Sequence, residues 1–294
     1  MNDKIKQHLL FVINPCSGVG CINWKELIST YLSSFEHQLS FFILTKNIQY
    51  AILKEEITLK QPSSVIAVGG DGTIRFVAKC LVDTNIPLGI IRAGSANGLA
   101  MELGITVDLA ACLENILQGN KIVIHAIEIN KELCIHLSDI GLNAEAMKKF
   151  ERQQQRGYWG YFLASLKVLW KNQRIKATLT FNDRIINTKA ELIVIANSTT
   201  YGTGAIINPI GVLNDQKFEI IIVKIFSIQE IFKMMFSHAR FDPNKTEVYQ
   251  TSELLIKTNK KVHFQIDGEY LGKVNEIIAN IIPKAITILV PKKR

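Results

Sequence analysis

At 294 residues with 48% apolar content, the chain can bury a sizeable core and has the length of roughly two domains. Its formal net charge of +8 favours polyanionic partners, whether nucleotide phosphates, nucleic acid or an anionic leaflet, without choosing among them. No apolar run reaches the ~20 residues needed to cross a bilayer as a helix, which excludes a helical membrane span.

The amino terminus alternates charge and polarity without the tripartite pattern of a secretory signal, which predicts a cytoplasmic chain. Five cysteines (Cys16, Cys21, Cys80, Cys112, Cys134) are scattered without a CxxC pair, arguing against a disulfide framework or a zinc site.

Residues 8–13 form a continuous apolar run that stops at Asn14-Pro15, as a buried parallel strand does on entering a loop. Apolar residues at helical spacing follow over 24–35, then a strand over 39–44 and a helix over 50–57. A third strand, 65–68, is closed by glycines and leads into a helix over 73–82, and residues 87–91 begin the cycle again. This alternation predicts an α/β domain with a parallel sheet over residues 1–124.

From residue 125 to 294 the texture becomes strand-like, with strands expected at 129–136, 177–181, 191–196, 218–223, 253–257 and 262–266. Two helices remain, at 158–171 and 227–238, and a last strand at 285–290 is a candidate to return to the first domain. The second domain is therefore expected to be antiparallel and mostly β.

The strongest local signal is Gly69-Gly70-Asp71-Gly72-Thr73, placed between a buried strand and a helix. Glycines remove Cβ atoms where backbone must come close to a ligand, and the helix N-terminus offers N–H groups to an anion. A carboxylate among phosphates points to Mg²⁺ handling or proton acceptance, and a simple helix cap is the plainer alternative for Asp71. Two further loops, Asn14-Pro15-Cys16-Ser17-Gly18 and Gly94-Ser95-Ala96-Asn97-Gly98, also end expected parallel strands and should open on the same sheet edge. In the second half, Asp267-Gly268-Glu269 puts two carboxylates at a turn, and residues 213–219 gather oxygen ligands suited to a hard cation. A P-loop, the dinucleotide fingerprint and HExxH are all absent. Basic residues are not interleaved with aromatics as nucleic-acid stacking requires, so no nucleic-acid partner is expected.

Taken in order, Asn14-Pro15-Cys16-Ser17-Gly18, Gly69–Thr73, Pro87–Ile91 leading into Gly94-Ser95-Ala96-Asn97, Gly141-Leu142-Asn143-Ala144 and Asp267-Gly268-Glu269 resemble the diacylglycerol kinase family. That family includes sphingosine and ceramide kinases and soluble bacterial lipid kinases. The resemblance implies a nucleotide-binding domain like that of NAD kinases and phosphofructokinases, a β-sandwich after it, and an active site in the inter-domain cleft. It implies that Asn14, Pro15, Cys16, Ser17, Gly18 and Thr45 surround ATP together with Gly69, Gly70, Asp71, Gly72, Thr73, Gly94, Ser95 and Asn97. Glu269 corresponds to the general base on a lipid hydroxyl, and Asp71 to the residue that organises Mg²⁺ and phosphate. Asp215, with backbone oxygens near Val212 and Lys217, corresponds to a structural Mg²⁺ loop.

Several positions depart from the family pattern: Arg75-Phe76 replace an Asn-Glu pair, Arg92 a proline, Gly98 a carboxylate and Gln216 a glycine. The expected activity is an ATP- and Mg-dependent lipid kinase acting on a diacylglycerol- or sphingosine-like lipid, in peripheral contact with the membrane. The sequence is compatible with a monomer or an oligomer. The alternatives are a catalytically weakened lipid- or nucleotide-binding homologue and a kinase of a soluble acceptor such as NAD.

Overall fold

The computed structural model describes residues 6–17, 22–45, 49–94, 97–141, 174–201, 205–225, 227, 229–230, 233 and 241–292. The chain divides into two compact units, Met1–Ile124 with Lys284–Arg294, and His125–Pro283.

The first unit is a parallel sheet of β1 (His8–Ile13), β2 (Gln38–Ile43), β3 (Ser64–Gly69) and β4 (Leu88–Arg92), in the order β4-β3-β1-β2. β3 is buried along its whole length and β1 from Leu9 onward, which explains why both read as unbroken apolar runs rather than alternating ones. Helices α1 (Trp24–Leu32), α2 (Tyr50–Lys60) and α3 (Asp71–Leu81) follow the first three strands. α1 stops before residue 35 because Ser33 turns back, its N–H and hydroxyl both donating to the Thr30 carbonyl. α2 runs past residue 57 until Gln61, in the left-handed region at φ 42°, closes it with a bond to the Ile57 carbonyl.

Two helices, α4 (Gly98–Glu102) and α5 (Leu109–Gln118), were not anticipated. α5 is capped by Asp108, whose carboxylate accepts the Ala111 N–H at 2.8 Å.

The second unit is antiparallel. Its main sheet runs β14 (Thr246–Thr251), β13 (Phe218–Val223), β10 (Leu192–Ala196), β7 (Leu137–Ile140), β15 (Glu253–Ile266) and β16 (Glu269–Val290). β8 (Ile175–Phe181) pairs with β15 and with β9 (Arg184–Ala190), and β5 (Asn120–Ile129) pairs with β16 and β6 (Glu132–Cys134). A short pair, β11 (Thr200–Tyr201) and β12 (Ala205–Ile206), stands apart. β10 and β13 are buried on both faces. Ile193, Ile195, Phe218, Ile220 and Ile222 enter one apolar cluster, while Leu192, Val194, Ile221 and Val223 enter another. The last residues of β16 belong to the first unit, where Ile288 lies beside Leu88 in parallel register.

The single strand expected at 129–136 is instead a hairpin. Asn130 and Lys131 both take positive φ, 51° and 71°, the paired left-handed conformation of a type I′ turn. The strands expected at 253–257 and 262–266 are one strand with a register shift after Lys257, and β16 is far longer than the six residues anticipated at 285–290. The helix expected at 158–171 lies outside the described residues, as does most of the one at 227–238. Among the described residues, no helix is long and apolar enough to cross a membrane.

Candidate active site

The parallel register aligns Ile13 with Ile43 and Val68, and Gly69 with Arg92, so the loops after β1, β2, β3 and β4 leave one edge of the sheet. Three of those loops are bonded together there. Asn14 donates its backbone N–H to the Val68 carbonyl at 3.0 Å and its carboxamide to the Thr73 hydroxyl at 3.2 Å. The other end of the same carboxamide accepts the Cys16 N–H at 3.0 Å, so one side chain shapes its own loop and ties it to α3.

The loop after β4 approaches still closer. A Cβ on Gly94 would run into the Gly70 Cα and lie 3.0 Å from the Gly70 nitrogen, so Gly94 must be glycine, whereas a Cβ on Gly70 would make a tight 3.1 Å contact with the Gly94 Cα. Asn97, 4% exposed and left-handed at φ 52°, braces this loop by accepting the Gly94 N–H at 3.0 Å and donating to the Gly94 carbonyl at 2.6 Å. Asp71 completes the clasp. Its carboxylate accepts the N–H groups of Gly98 at 3.1 Å and Leu99 at 3.4 Å, which places it at the start of α4. Asp71 is therefore the first residue of α3 but braces a different helix, α4, rather than capping its own, and its carboxylate sits among the glycine-lined loops. Gly70, extended, leads into α3, whose first N–H groups have no intrahelical partner of their own and suit an anion. Pro15 and Cys16 are exposed, as is Thr45 two residues beyond β2, while Gly18 and Ser95 lie outside the described residues.

In the second unit Asp267 and Gly268 form a two-residue turn between β15 and β16, with φ of 49° and 84°. The two carboxylates of this turn have separate fates. Asp267 is buried, and its oxygens accept the N–H groups of Ile135 at 3.0 Å, His136 at 2.9 Å and Leu137 at 3.0 Å. Its own N–H donates to the Leu137 carbonyl at 2.8 Å, so the turn is pinned to the segment entering β7. Gln265 reinforces it, accepting the Gly268 N–H at 2.7 Å and donating to Asp139. Glu269, at the head of β16, is exposed. Next to it the Tyr270 hydroxyl lies 3.0 Å from His263 Nδ1.

Comparison with known proteins accounts for both halves. Residues 8–129 match the diacylglycerol kinase catalytic domain, and residues 138–290 match the YegS C-terminal NAD kinase beta sandwich-like domain. The chain belongs to the diacylglycerol kinase family. It is 23% identical to a diacylglycerol kinase of Bacillus subtilis over 294 residues, covering 96% of each chain. It is 27% identical to a probable lipid kinase YegS of Escherichia coli over 238 residues, covering 78% of each. A crystal structure of a putative diacylglycerol kinase from Bacillus anthracis superposes with a TM-score of 0.77 at 19% identity over 98% of each chain, which establishes the shared fold. Family membership makes the protein a phosphotransferase acting on an alcohol.

Three of the positions expected to depart from the family pattern, Arg75, Phe76 and Arg92, are buried or have partners of their own. Phe76 stacks on Tyr50 with ring centroids 4.5 Å apart, and Lys79 lies 4.4 Å over the same tyrosine, joining α3 to α2. Arg75 is 4% exposed. Arg92 donates to the Ile105 carbonyl at 2.9 Å. Burial pushes the Cys80 thiol up to about 11 and raises Cys112 as well, which leaves Cys16 as the exposed thiol among the described cysteines.

The segment expected to hold a structural cation is arranged differently. Val212 is 47% exposed, and Lys217 supplies Asp215 with an N–H donor at 3.1 Å. The other Asp215 oxygen accepts the Gln250 carboxamide at 2.8 Å, and that same nitrogen lies 3.0 Å from Glu219. Burial raises the Glu219 carboxyl above its ordinary range, with the Asn208 and Gln250 amides pulling the other way. Among the described residues no group of three or more His, Cys, Asp or Glu side chains can hold a metal. Both Asp215 oxygens are thus engaged by protein N–H groups.

Two stability measurements follow from this geometry. Gly94→Ala should lose more than about 2 kcal/mol in urea unfolding because its Cβ meets backbone. Gly72→Ala, with nothing within 4 Å of its Cβ, should be neutral or gain up to about 1 kcal/mol from helix propensity. Equal losses at the two sites would contradict the close approach. Asp267→Ala should cost more than about 3 kcal/mol by orphaning buried N–H groups, whereas Glu269→Gln should stay within about 0.5 kcal/mol. A silent Asp267→Ala in the same assay would remove its anchoring role.

Proposed function

We propose that this chain transfers the γ-phosphoryl group of ATP, taken as its Mg²⁺ complex, to a hydroxyl of a membrane lipid, with a diacylglycerol as the first acceptor to test. The observation that supports the reading most is the joining of the loops at Asn14, Gly69–Thr73 and Gly94–Asn97 on one sheet edge, in a chain of this family. Phosphoryl transfer asks little covalent chemistry of a protein. It depends on positioning and on spreading charge over the phosphate oxygens. In this reading the first N–H groups of α3 and the glycine backbone receive the phosphates, and the loop at Asn14–Ser17 lies beside them with Thr45. Asp71, fixed by the N–H groups of α4, organises the Mg²⁺ that arrives with the nucleotide.

Glu269 is the proposed general base. As the lipid oxygen attacks the γ-phosphorus, the hydroxyl proton passes to the Glu269 carboxylate, the bond to the β-phosphate oxygen breaks and ADP leaves. Asp267 takes no part in the proton transfer and holds the turn that presents Glu269. The lipid acceptor sets the place of reaction at a bilayer surface, where the net charge of +8 favours an anionic leaflet.

Glu269→Gln should slow transfer from labelled ATP to diacylglycerol vesicles by roughly 10²–10⁴-fold with an unchanged thermal melt, and Asp71→Asn by a similar factor with a melt lowered by the loss of one α4 cap bond. Wild-type rates from either folded variant would sink that residue's assignment. Cys16 supplies a second measurement that needs no acceptor. Alkylation at neutral pH, followed by peptide mass mapping, should label Cys16 well ahead of Cys80 and Cys112, and ATP should slow the Cys16 reaction several-fold. Indifference to ATP at Cys16 would argue that the nucleotide binds elsewhere.

A further inference from the structure

The turn at residues 212–217 and the strands behind it hold two carboxylates close together with one amide set between them. Asp215 and Glu219 lie within hydrogen-bond reach of a single atom, the Gln250 side-chain nitrogen, at 2.8 and 3.0 Å. This position is built into the sheet, since Gln250 on β14 is the direct cross-strand partner of Glu219 on β13. The remaining contacts leave the carboxylates on protein donors. Glu219, 1% exposed, has its second oxygen on the Asn208 carboxamide at 2.6 Å, and Asp215 has its second on the Lys217 N–H at 3.1 Å. The Leu213 carbonyl, which points back from the same turn, accepts the His125 N–H at 2.9 Å. Gln216 takes the left-handed conformation at φ 58° that lets the turn close.

We propose that the Gln250 carboxamide occupies the place of a divalent cation in this turn, bridging Asp215 and Glu219 with its two N–H groups, so that the second unit folds and keeps its shape without a resident metal. The chemistry is one of substitution. Two carboxylates that converge on one point repel each other unless something positive lies between them, and a cation or a pair of N–H dipoles can serve. An amide does so without desolvating a dication and without the six oxygen ligands at 2.0–2.1 Å that Mg²⁺ demands. A metal at this point would have to displace Gln250 from both carboxylates. The inference is independent of the proposed kinase reaction, whose Mg²⁺ arrives with the nucleotide.

The substitution that reverses the device is Gln250→Glu, which keeps the shape of the side chain and exchanges the donor for a third carboxylate. Nucleotide-free protein would be melted in EDTA and then in rising Ca²⁺ or Mg²⁺. Wild type should show the same midpoint throughout and carry no stoichiometric divalent metal by elemental analysis after purification. Gln250→Glu should melt lower in EDTA by at least about 2–4 °C, recover saturably with Ca²⁺, and lose that recovery when Asp215→Asn is added. The proposal is overturned if wild type holds one equivalent of metal whose removal lowers its midpoint, or if folded Gln250→Glu behaves as wild type with and without Ca²⁺. Should Gln250→Glu fail to fold even with Ca²⁺, the wild-type metal content and EDTA melt decide between the two alternatives unaided.

Discussion

The first unit depends on one steric constraint, the contact between the backbones of Gly70 and Gly94. The loops can meet this closely only because Gly94 carries no Cβ, and the contact is held from both sides. Asn97 clamps the Gly94 peptide through both ends of its carboxamide, and Asp71 reaches over to the first N–H groups of α4. With Asn14 tied to Thr73, the result is a rim of backbone and small polar groups at the carboxyl ends of β1, β3 and β4. In the proposed reaction this rim is where the phosphates would be held, as chemistry governed by positioning needs.

The second unit meets a different problem, the burial of charge within a β-structure. Its answer is to give the buried carboxylates N–H donors: three backbone groups on Asp267, carboxamides on Glu219 and Asp139, and the Lys233 ammonium with the Asp242 N–H on Glu230. Because Asp267 is committed to this structural task, the adjacent Glu269 is left exposed at the head of its strand. A turn with two acidic residues therefore separates an anchor from a reactive candidate, and the two should respond differently to substitution.

Much of this was legible in the residues. The unbroken apolar runs at 8–13 and 65–68 announced strands buried on both faces, and the glycines after them announced loops that approach something closely. The ordered motifs carried the family and the fold of both halves. What escaped reading depended on partners distant in sequence. α4 has only five residues and owes its start to the carboxylate of Asp71, twenty-seven positions earlier. The turn at Asn130-Lys131 lacks glycine, so its two left-handed residues passed as part of one strand. The α5 helix was readable after all, since Asp108 caps it and Leu109, Cys112, Leu113 and Ile116 recur at helical spacing. The roles of Phe76, Arg92 and Gln250 could not be read at all, because each is defined by the side chain or carbonyl it meets across the fold.

The most direct test of the central claim is to incubate the purified chain with γ-labelled ATP, Mg²⁺ and a total lipid extract, and to separate the organic and aqueous phases. A lipid kinase should place the label in a discrete phosphorylated lipid that runs as the phosphate ester of a lipid alcohol. Label confined to a water-soluble acceptor or to inorganic phosphate would contradict it.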